Sequence, residues 1–320
     1  MKTFLNILVL SFLLGCTLTA RAAENSLIKA QLGLNWKPEP EFGGFYEAQQ
    51  QAFYRNAGLD IEILEGGSGT PTLQMLTNEK VDYAILSAEE IILHNDRDPK
   101  RKVVAVFTVF EKSPYMIMTH EEANLTALSQ VFQNSHYTIS LQKGLPYVDF
   151  LIKKYSPVQA KLVPYQGGIG LFEKNKQFAQ QGFITSEYLM AQNQKISSRA
   201  WLVADEGFNP YITVLAVRED FLKKNRIQVE KMVQATRQGW ESYLKKPDST
   251  NSMMNKKNPA MSLEMMKASL LKMTDLMKFD PKLKLGQMKS ERWLVLQQQM
   301  QNLQLIQAKN SDPIQYFQNF

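Results

Sequence analysis

The chain has 320 residues, of which 44% are hydrophobic, and carries 37 basic against 31 acidic side chains for a net charge of +6. That length and apolar fraction suffice for a large core divided between two lobes. The basic residues lie in small clusters such as Lys100-Arg101-Lys102, Lys245-Lys246 and Lys256-Lys257 with acids between them, and no basic stripe interleaved with aromatics points to a nucleic acid.

Residues 1–22 read as a signal peptide. Lys2 is the charged start, Phe4 to Gly15 the apolar run, and Ala20-Arg21-Ala22 a small-x-small cleavage site. The apolar run is too short to span a bilayer. Leu13-Leu14-Gly15-Cys16 resembles a lipoprotein box, in which Cys16 would be lipidated. Leu14 departs from the small or β-branched residue usual there, and cleavage after Ala22 is favoured. Cys16 is the only cysteine, so either cleavage leaves no thiol inside the fold and excludes a thiolate metal site. Cleavage after Ala22 removes Lys2 and Arg21 and no base-balancing acid, lowering the net charge from +6 to +4.

Ala30 to Leu34 reads as a strand. It runs into Asn35-Trp36-Lys37-Pro38-Glu39-Pro40-Glu41-Phe42-Gly43-Gly44-Phe45-Tyr46, a turn stiffened by prolines and opened by glycines. Such a strand–turn–helix forms a pocket wall at the carboxyl edge of a sheet. Trp36 is open to two readings, a ligand wall or a core residue. Gly43 to Ala57 follows as a helix with Phe45, Ala48, Ala52 and Phe53 on one face, and Gly58 closes it. Leu59, Ile61 and Ile63 alternate with acids as a half-buried strand.

Glu65-Gly66-Gly67-Ser68-Gly69-Thr70-Pro71 is a flexible loop leading into a helix over 71–78, with Thr70 as its expected cap. It has no Gly-Lys-Ser/Thr ending and is not a phosphate loop of the Walker type. Val81 to Ser87 is a strand, and Ser87 with Glu90 forms a capping box. Glu89 and Glu90 read as capping and surface residues. Val103 to Val109 reads as a buried parallel strand. The chain then crosses at Phe110-Glu111-Lys112-Ser113-Pro114 into further strands at Tyr115–Met118, with His120 just past it, and at Tyr137–Leu141. Gln142 to Tyr147 is a turn before a helix, and Leu162–Tyr165 is a strand ending at Gln166-Gly167-Gly168.

Gln181-Gly182-Phe183-Ile184-Thr185-Ser186-Glu187 places Ser186 as a helix cap and Glu187 in the first turn. Glu187 supports the helix dipole on one reading; on the other it accepts a hydrogen bond from an exocyclic amine or ring N–H. Trp201–Val203 and Tyr211–Val217 are strands, and Asn209-Pro210-Tyr211 returns the chain to the first lobe. Helices follow at Ile227–Leu244, Leu263–Met277 and Glu291–Leu303. The many methionines read as gap-filling core rather than metal ligands.

Asn35-Trp36-x-Pro38, Gly44-Phe45-Tyr46-x-Ala48 and Gly58-Leu59-Asp60-Ile61-Glu62 resemble the opening of solute-binding proteins of bacterial ABC importers. Val81 to Ser87, Gln181 to Glu187 and Ala235-Thr236-Arg237-x-Gly239-Trp240 continue the match. The branch is the one similar to the thiamine-pyrimidine synthase of yeasts, with relatives that bind formylaminopyrimidine, riboflavin or alkanesulfonates. The resemblance implies an α/β, two-lobed type II periplasmic binding fold with mixed, mostly parallel sheets, helices on both faces and a two-segment hinge. It places lobe 1 at 23–112 and 208–320 and lobe 2 at 113–207. It implies a monomer outside the cytoplasm that serves a membrane permease and its ATPase, with no cofactor and no catalysis.

On that resemblance Trp36 stacks on a planar ligand, with Asn35, Phe42, Tyr46, Tyr147 and Tyr165 as further lining. Stacking supplies about 1–3 kcal/mol per base-like ring, and a micromolar complex needs about 8. Hydrogen bonds from Ser68, Thr70, Ser87, Thr185, Glu187 or Asn209 must therefore orient the guest. Sulfonate binding at helix N-termini is the alternative. A synthase-like enzyme is a third reading. The synthases consume a histidine where this chain has Phe42, and they need a cysteine-rich motif absent here; His94, His120 and His136 show no paired ligand spacing.

Overall fold

The computed structural model describes residues 27–278, 280–307 and 312–320. The expected leader, its cleavage site and the Cys16 reading lie outside the described residues.

Alternating short apolar strands and amphipathic helices assemble into two five-stranded sheets among the described residues. The first contains β1 (Ile28–Gly33), β2 (Leu59–Leu64), β3 (Tyr83–Leu86), β4 (Val103–Thr108) and β10 (Val214–Arg218), in the order β2-β1-β3-β10-β4. The second contains β5 (Tyr115–His120), β6 (Thr138–Leu141), β7 (Lys161–Pro164), β8 (Phe178–Phe183) and β9 (Ser198–Leu202), in the order β7-β6-β8-β5-β9. In each sheet four strands run one way and one runs against them. The reversed strands are β10 and β5, which pair antiparallel with both neighbours. Each is the first strand after a crossing between sheets, so the crossing imposes the reversal.

β4 departs from the expected parallel ladder. It is an edge strand whose ladder partner, β10, is antiparallel. All six of its residues are nevertheless buried, because the C-terminal segment covers the open edge: Ala105 N–H donates to the Tyr316 carbonyl at 2.9 Å and Gln318 N–H to the Ala105 carbonyl at 2.8 Å. The expected helix over 43–57 is two helices, Gly43–Gln50 and Phe53–Asn56, broken where Ala52 takes φ +59°. Its apolar spacing fits one helix or two, and no glycine marks the break. A further helix, Asp248–Lys257, follows Pro247 without an apolar stripe strong enough to announce it. His120 is the last residue of β5 rather than a loop residue. It is buried, stacked on Phe172 at 4.0 Å and bonded to the Phe172 carbonyl.

The long helix Arg226–Lys245 lies on the helix Gly43–Gln50 through glycine contacts. A Cβ on Gly44 would fall 2.2 Å from the Trp240 ring, and one on Gly239 would fall 2.2 Å from the Gly44 carbonyl oxygen. This packing fixes the direction of the Trp36 turn that feeds the first helix. The two crossings are tied to each other: Ser113 N–H donates to Asn209 Oδ1 at 2.8 Å. Arg292 also donates to the Asn209 and Glu111 carbonyls. Among the described residues, no helix is long and apolar enough to cross a membrane.

Candidate functional site

One wall of the site is the turn after β1. Pro40–Phe42 forms a single 3-10 turn, and the prolines hold the chain away from a regular helix until Gly43. Gly66 packs onto this turn. A side chain there would lie 2.2 Å from the Leu34 carbonyl oxygen, and the Gly66 amide donates to the Trp36 carbonyl at 3.1 Å. Trp36 is half-buried, and its indole N–H donates to Glu39 Oε1 at 3.2 Å. Glu39 and Glu41 are each only 7% exposed. Glu39 has the indole for a partner, whereas no hydrogen bond or ion pair reaches the Glu41 carboxylate among the described residues.

The opposite wall comes from the second sheet. The Tyr165 hydroxyl, just past β7, donates to Glu187 Oε1 at 2.6 Å. Phe183 N–H at the end of β8 donates to Glu187 Oε2 at 2.8 Å. Glycine at 182 makes room for this carboxylate, since a Cβ there would lie 2.8 Å from Glu187 Oε2. Glu187 opens the helix Glu187–Asn193, where Ser186 makes no capping bond. Beside it, Tyr147 is buried and stacks on Tyr115 with ring centroids 4.3 Å apart.

The two walls meet. Phe183, Ile184 and Met190 of the second lobe pack against the core of the first, and Lys272 Nζ lies 5.6 Å from the Tyr188 ring centroid. The Glu39 carboxyl is pushed up to about 7, chiefly by burial and then by the facing Glu187, against hydrogen bonds from Ser186 and Trp36 and the charge of Lys37, which act in the opposite sense. Glu41 is held well above the usual carboxylate range by burial and by Glu39 and Glu187. Glu89, 1% exposed, is pushed up to about 8 by burial. Its Oε2 has no hydrogen-bond partner among the described residues. Its charge acts on Tyr115 and Tyr147, and that of Glu187 also acts on Tyr147. The site is thus a set of tyrosines and one indole bordered by buried carboxylates from the first lobe and the half-buried Glu187 from the second.

Of the expected ligand-lining residues, Trp36, Tyr147, Tyr165 and Glu187 converge here. Ser87 stands next to it, closing the capping box with Glu90 as expected: Ser87 N–H donates to Glu90 Oε2 at 2.8 Å and Glu90 N–H to Ser87 Oγ at 3.3 Å. Asn35 is half-buried with no partner on its Oδ1 among the described residues. Thr185 is buried two residues before Glu187. Phe42 and Tyr46 lie in the core of the first lobe. Ser68 is exposed on its loop. Thr70 does not cap the next helix; its hydroxyl accepts the Gly67 amide at 2.8 Å, and the helix is the short Thr72–Thr77. Asn209 sits in the second crossing, its side chain engaged by Ser113.

Sequence reasoning missed Glu39, Glu41 and Tyr115, and it placed Glu89 at the surface. The available signal was the Trp-Lys-Pro-Glu-Pro-Glu-Phe run, in which two acids are confined to a proline-stiffened turn with apolar neighbours. Glu89 gave no such signal, since an acid in a first helical turn is ordinary. Among the described residues, no group of three His, Cys, Asp or Glu side chains is arranged to hold a metal ion.

The NMT1/THI5-like family profile matches residues 39–250. The 4-amino-5-hydroxymethyl-2-methylpyrimidine phosphate synthase THI11 of Saccharomyces cerevisiae is 23% identical over 230 residues, which are 67% of this chain and 66% of that protein, just under two thirds of its length. The aliphatic sulphonate binding protein SsuA of Escherichia coli superposes with a TM-score of 0.66 at 14% identity, covering 90% of this chain and 91% of its own. The Candida albicans CA3427 gene product, which has the generic periplasmic binding protein fold, superposes with a TM-score of 0.64 at 17% identity, covering 91% and 96%. The two sheets, the paired crossings and the profile match agree, and the chain belongs to the NMT1/THI5-like family, on the two-lobed type II periplasmic binding protein fold.

Proposed function

We propose that this chain is the extracytoplasmic solute-binding component of an ABC importer, which holds a small planar nitrogen heterocycle between its lobes and passes it unchanged to a permease with its ATPase. The carrying observation is the facing of Trp36–Glu39 on one lobe by Tyr165–Glu187 on the other. An indole and tyrosine rings give apolar faces for a flat ring. Carboxylates fixed by neighbours accept from ring or exocyclic N–H groups, and accepting from a donor of matched geometry gives orientation. A thiamine-pyrimidine precursor fits this chemistry, with a flavin second. Domain closure follows from the ligand's greater affinity for the closed form, and the Ser113–Asn209 tie supports a bend at the two crossings, near 110–116 and 204–210. The protein acts as a monomer after loss of residues 1–22.

A sulfonate guest, as bound by SsuA, is the weaker reading, because its charge would face Glu39, Glu41 and Glu187. A pyrimidine synthase is weaker still. The residue at the position of the consumed histidine is Phe42, a ring without a nitrogen in the core of the first lobe.

Mass spectrometry of small molecules released from purified protein tests the reading directly, followed by calorimetry of the released compound with wild type and Trp36→Ala. Loss of about 1–3 kcal/mol in the variant is expected from the stacking contribution. Equal affinity in both removes the stacking role. Conversion of the compound to a product during incubation overturns the transport reading.

A further inference from the structure

Glu39, Glu41 and Glu89 come from the first lobe and Glu187 from the second, and they border a single aromatic site. Two of them carry oxygens with nothing to bind. Glu41 is 7% exposed with neither a hydrogen bond nor an ion pair among the described residues. Glu89 is 1% exposed with an unpartnered Oε2. The groups acting on Glu39 are Trp36, Lys37 and Glu41 from its own turn, Ser186 and Glu187 from the facing helix, and Tyr165 from the end of β7. Those acting on Glu41 are Glu39, Glu187 and Tyr115. Those around Glu89 are Ser87, Glu90, Tyr115 and Tyr147. The one cation in this set is Lys37, which is exposed. Buried carboxylates without a compensating cation are strongly unfavourable unless protonated or paired by an incoming charge.

We propose that the solute is a flat cation of the amidinium or quaternised-heterocycle type, seated against the tyrosines with its charge between Glu39 and Glu41 on one lobe and Glu187 on the other. This rests on the solute-binding reading above and narrows it to one charge class. The closed, unliganded site is balanced by protons on Glu39, Glu41 and Glu89. The single positive charge takes the place of one proton on the Glu39–Glu41 pair, so binding releases up to one proton and strengthens as the pH rises through 6 to 8. A neutral ring of the same shape has no charge to offer, and its binding releases none.

Matched probes separate the outcomes: benzamidine against benzamide, and thiamine against riboflavin, each titrated by calorimetry into the purified protein at pH 6, 7 and 8 in buffers of different ionisation enthalpy. A cation preferred at least tenfold over its neutral partner at pH 8, with net proton release, is the expected result. Glu41→Gln is expected to remove most of that preference while raising the melting temperature of the unliganded protein at pH 8, since it removes the cost of holding a buried, unpartnered carboxyl protonated at that pH. Equal or tighter binding of the neutral probes, binding without proton release, or no response to either cation overturns the proposal. So does a Glu41→Gln protein that melts lower at pH 8, because it would show that Glu41 has a structural partner. A neutral heterocycle released from the purified protein would sink the charge assignment and leave the solute-binding reading intact. A released compound that is chemically turned over would instead sink the solute-binding reading.

Discussion

The Ser113 amide donates to Asn209 Oδ1 at 2.8 Å, so one side chain fastens the outgoing crossing of the chain to the returning one. Asn209 is fastened in turn by Arg292, which donates to its carbonyl at 2.8 Å and lies over the Tyr211 ring at 3.7 Å. The joint between the lobes is therefore held by a hydrogen-bonded strap as well as by the buried apolar side chains around it, Val203, Phe208 and Tyr211 among them.

Asn209→Ala removes the acceptor and leaves the buried Ser113 amide without its partner. An unsatisfied buried amide costs about 1–3 kcal/mol. The expected outcome is a lower urea midpoint with an unchanged m value, measured by equilibrium unfolding. Because the strap joins the crossings, the variant is also expected to show faster amide exchange at 111–115 and 205–211.

Glu187 has a double role inside the second lobe, accepting from Tyr165 Oη and from Phe183 N–H. Glu187→Gln keeps the size and one acceptor oxygen but loses the charge. It is expected to weaken solute binding about tenfold or more with only a small change in melting temperature. Tyr165→Phe leaves the carboxylate short of one donor and is expected to weaken binding less than Glu187→Gln. Calorimetry and thermal denaturation on the same samples decide both points.

The raised carboxyls make the unliganded protein sensitive to pH. Glu39 moves from an ordinary 4.5 up to about 7 in the folded state, and Glu89 up to about 8. Between about pH 4.5 and 8 the native state therefore holds more protons at these sites than the unfolded chain does. Stability from this source is greatest at the acid end of that window and declines as the pH rises through it. Melting temperature measured from pH 5 to 8 is expected to fall in the wild type and to fall less in Glu39→Gln. A steeper decline in the variant would show that other groups set the dependence.

Much of the fold is legible in the sequence for a physical reason: strands such as Leu59–Leu64 and helices such as Arg226–Lys245 carry their burial pattern in their apolar spacing. Caps are equally local, and the Ser87–Glu90 box and the φ of +83° at Gly58 follow from single residues. The site is less legible. Trp36 and Glu187 stand out as a lone indole in a proline turn and an acid at a helix start. Glu41 carries only the fainter signal of the same proline-stiffened turn, and Glu89 carries none, because it is buried beside Tyr115 and Tyr147, which are distant in the chain. The same holds for β4, whose covered edge depends on a segment some 200 residues later.

The packing of Arg226–Lys245 on Gly43–Gln50 is the prediction with the least room for relaxation. Gly239 faces backbone, not a mobile side chain: a Cβ would lie 2.2 Å from the Gly44 carbonyl oxygen, 2.6 Å from Ala48 Cβ and 2.9 Å from the Ala48 nitrogen. Gly239→Ala must push the two helices apart. In an exposed helix this substitution stabilises through the unfolded state, but overpacking costs about 1–3 kcal/mol and here is set against rigid backbone. A net loss of stability is expected by thermal denaturation. The displacement would pass through Gly44 and Trp240 to the start of the first helix, and from there to the Trp36–Glu39 turn. Solute affinity in Gly239→Ala is therefore expected to fall although the residue lies outside the site, and an affinity equal to wild type would show that the turn is positioned independently of this helix pair.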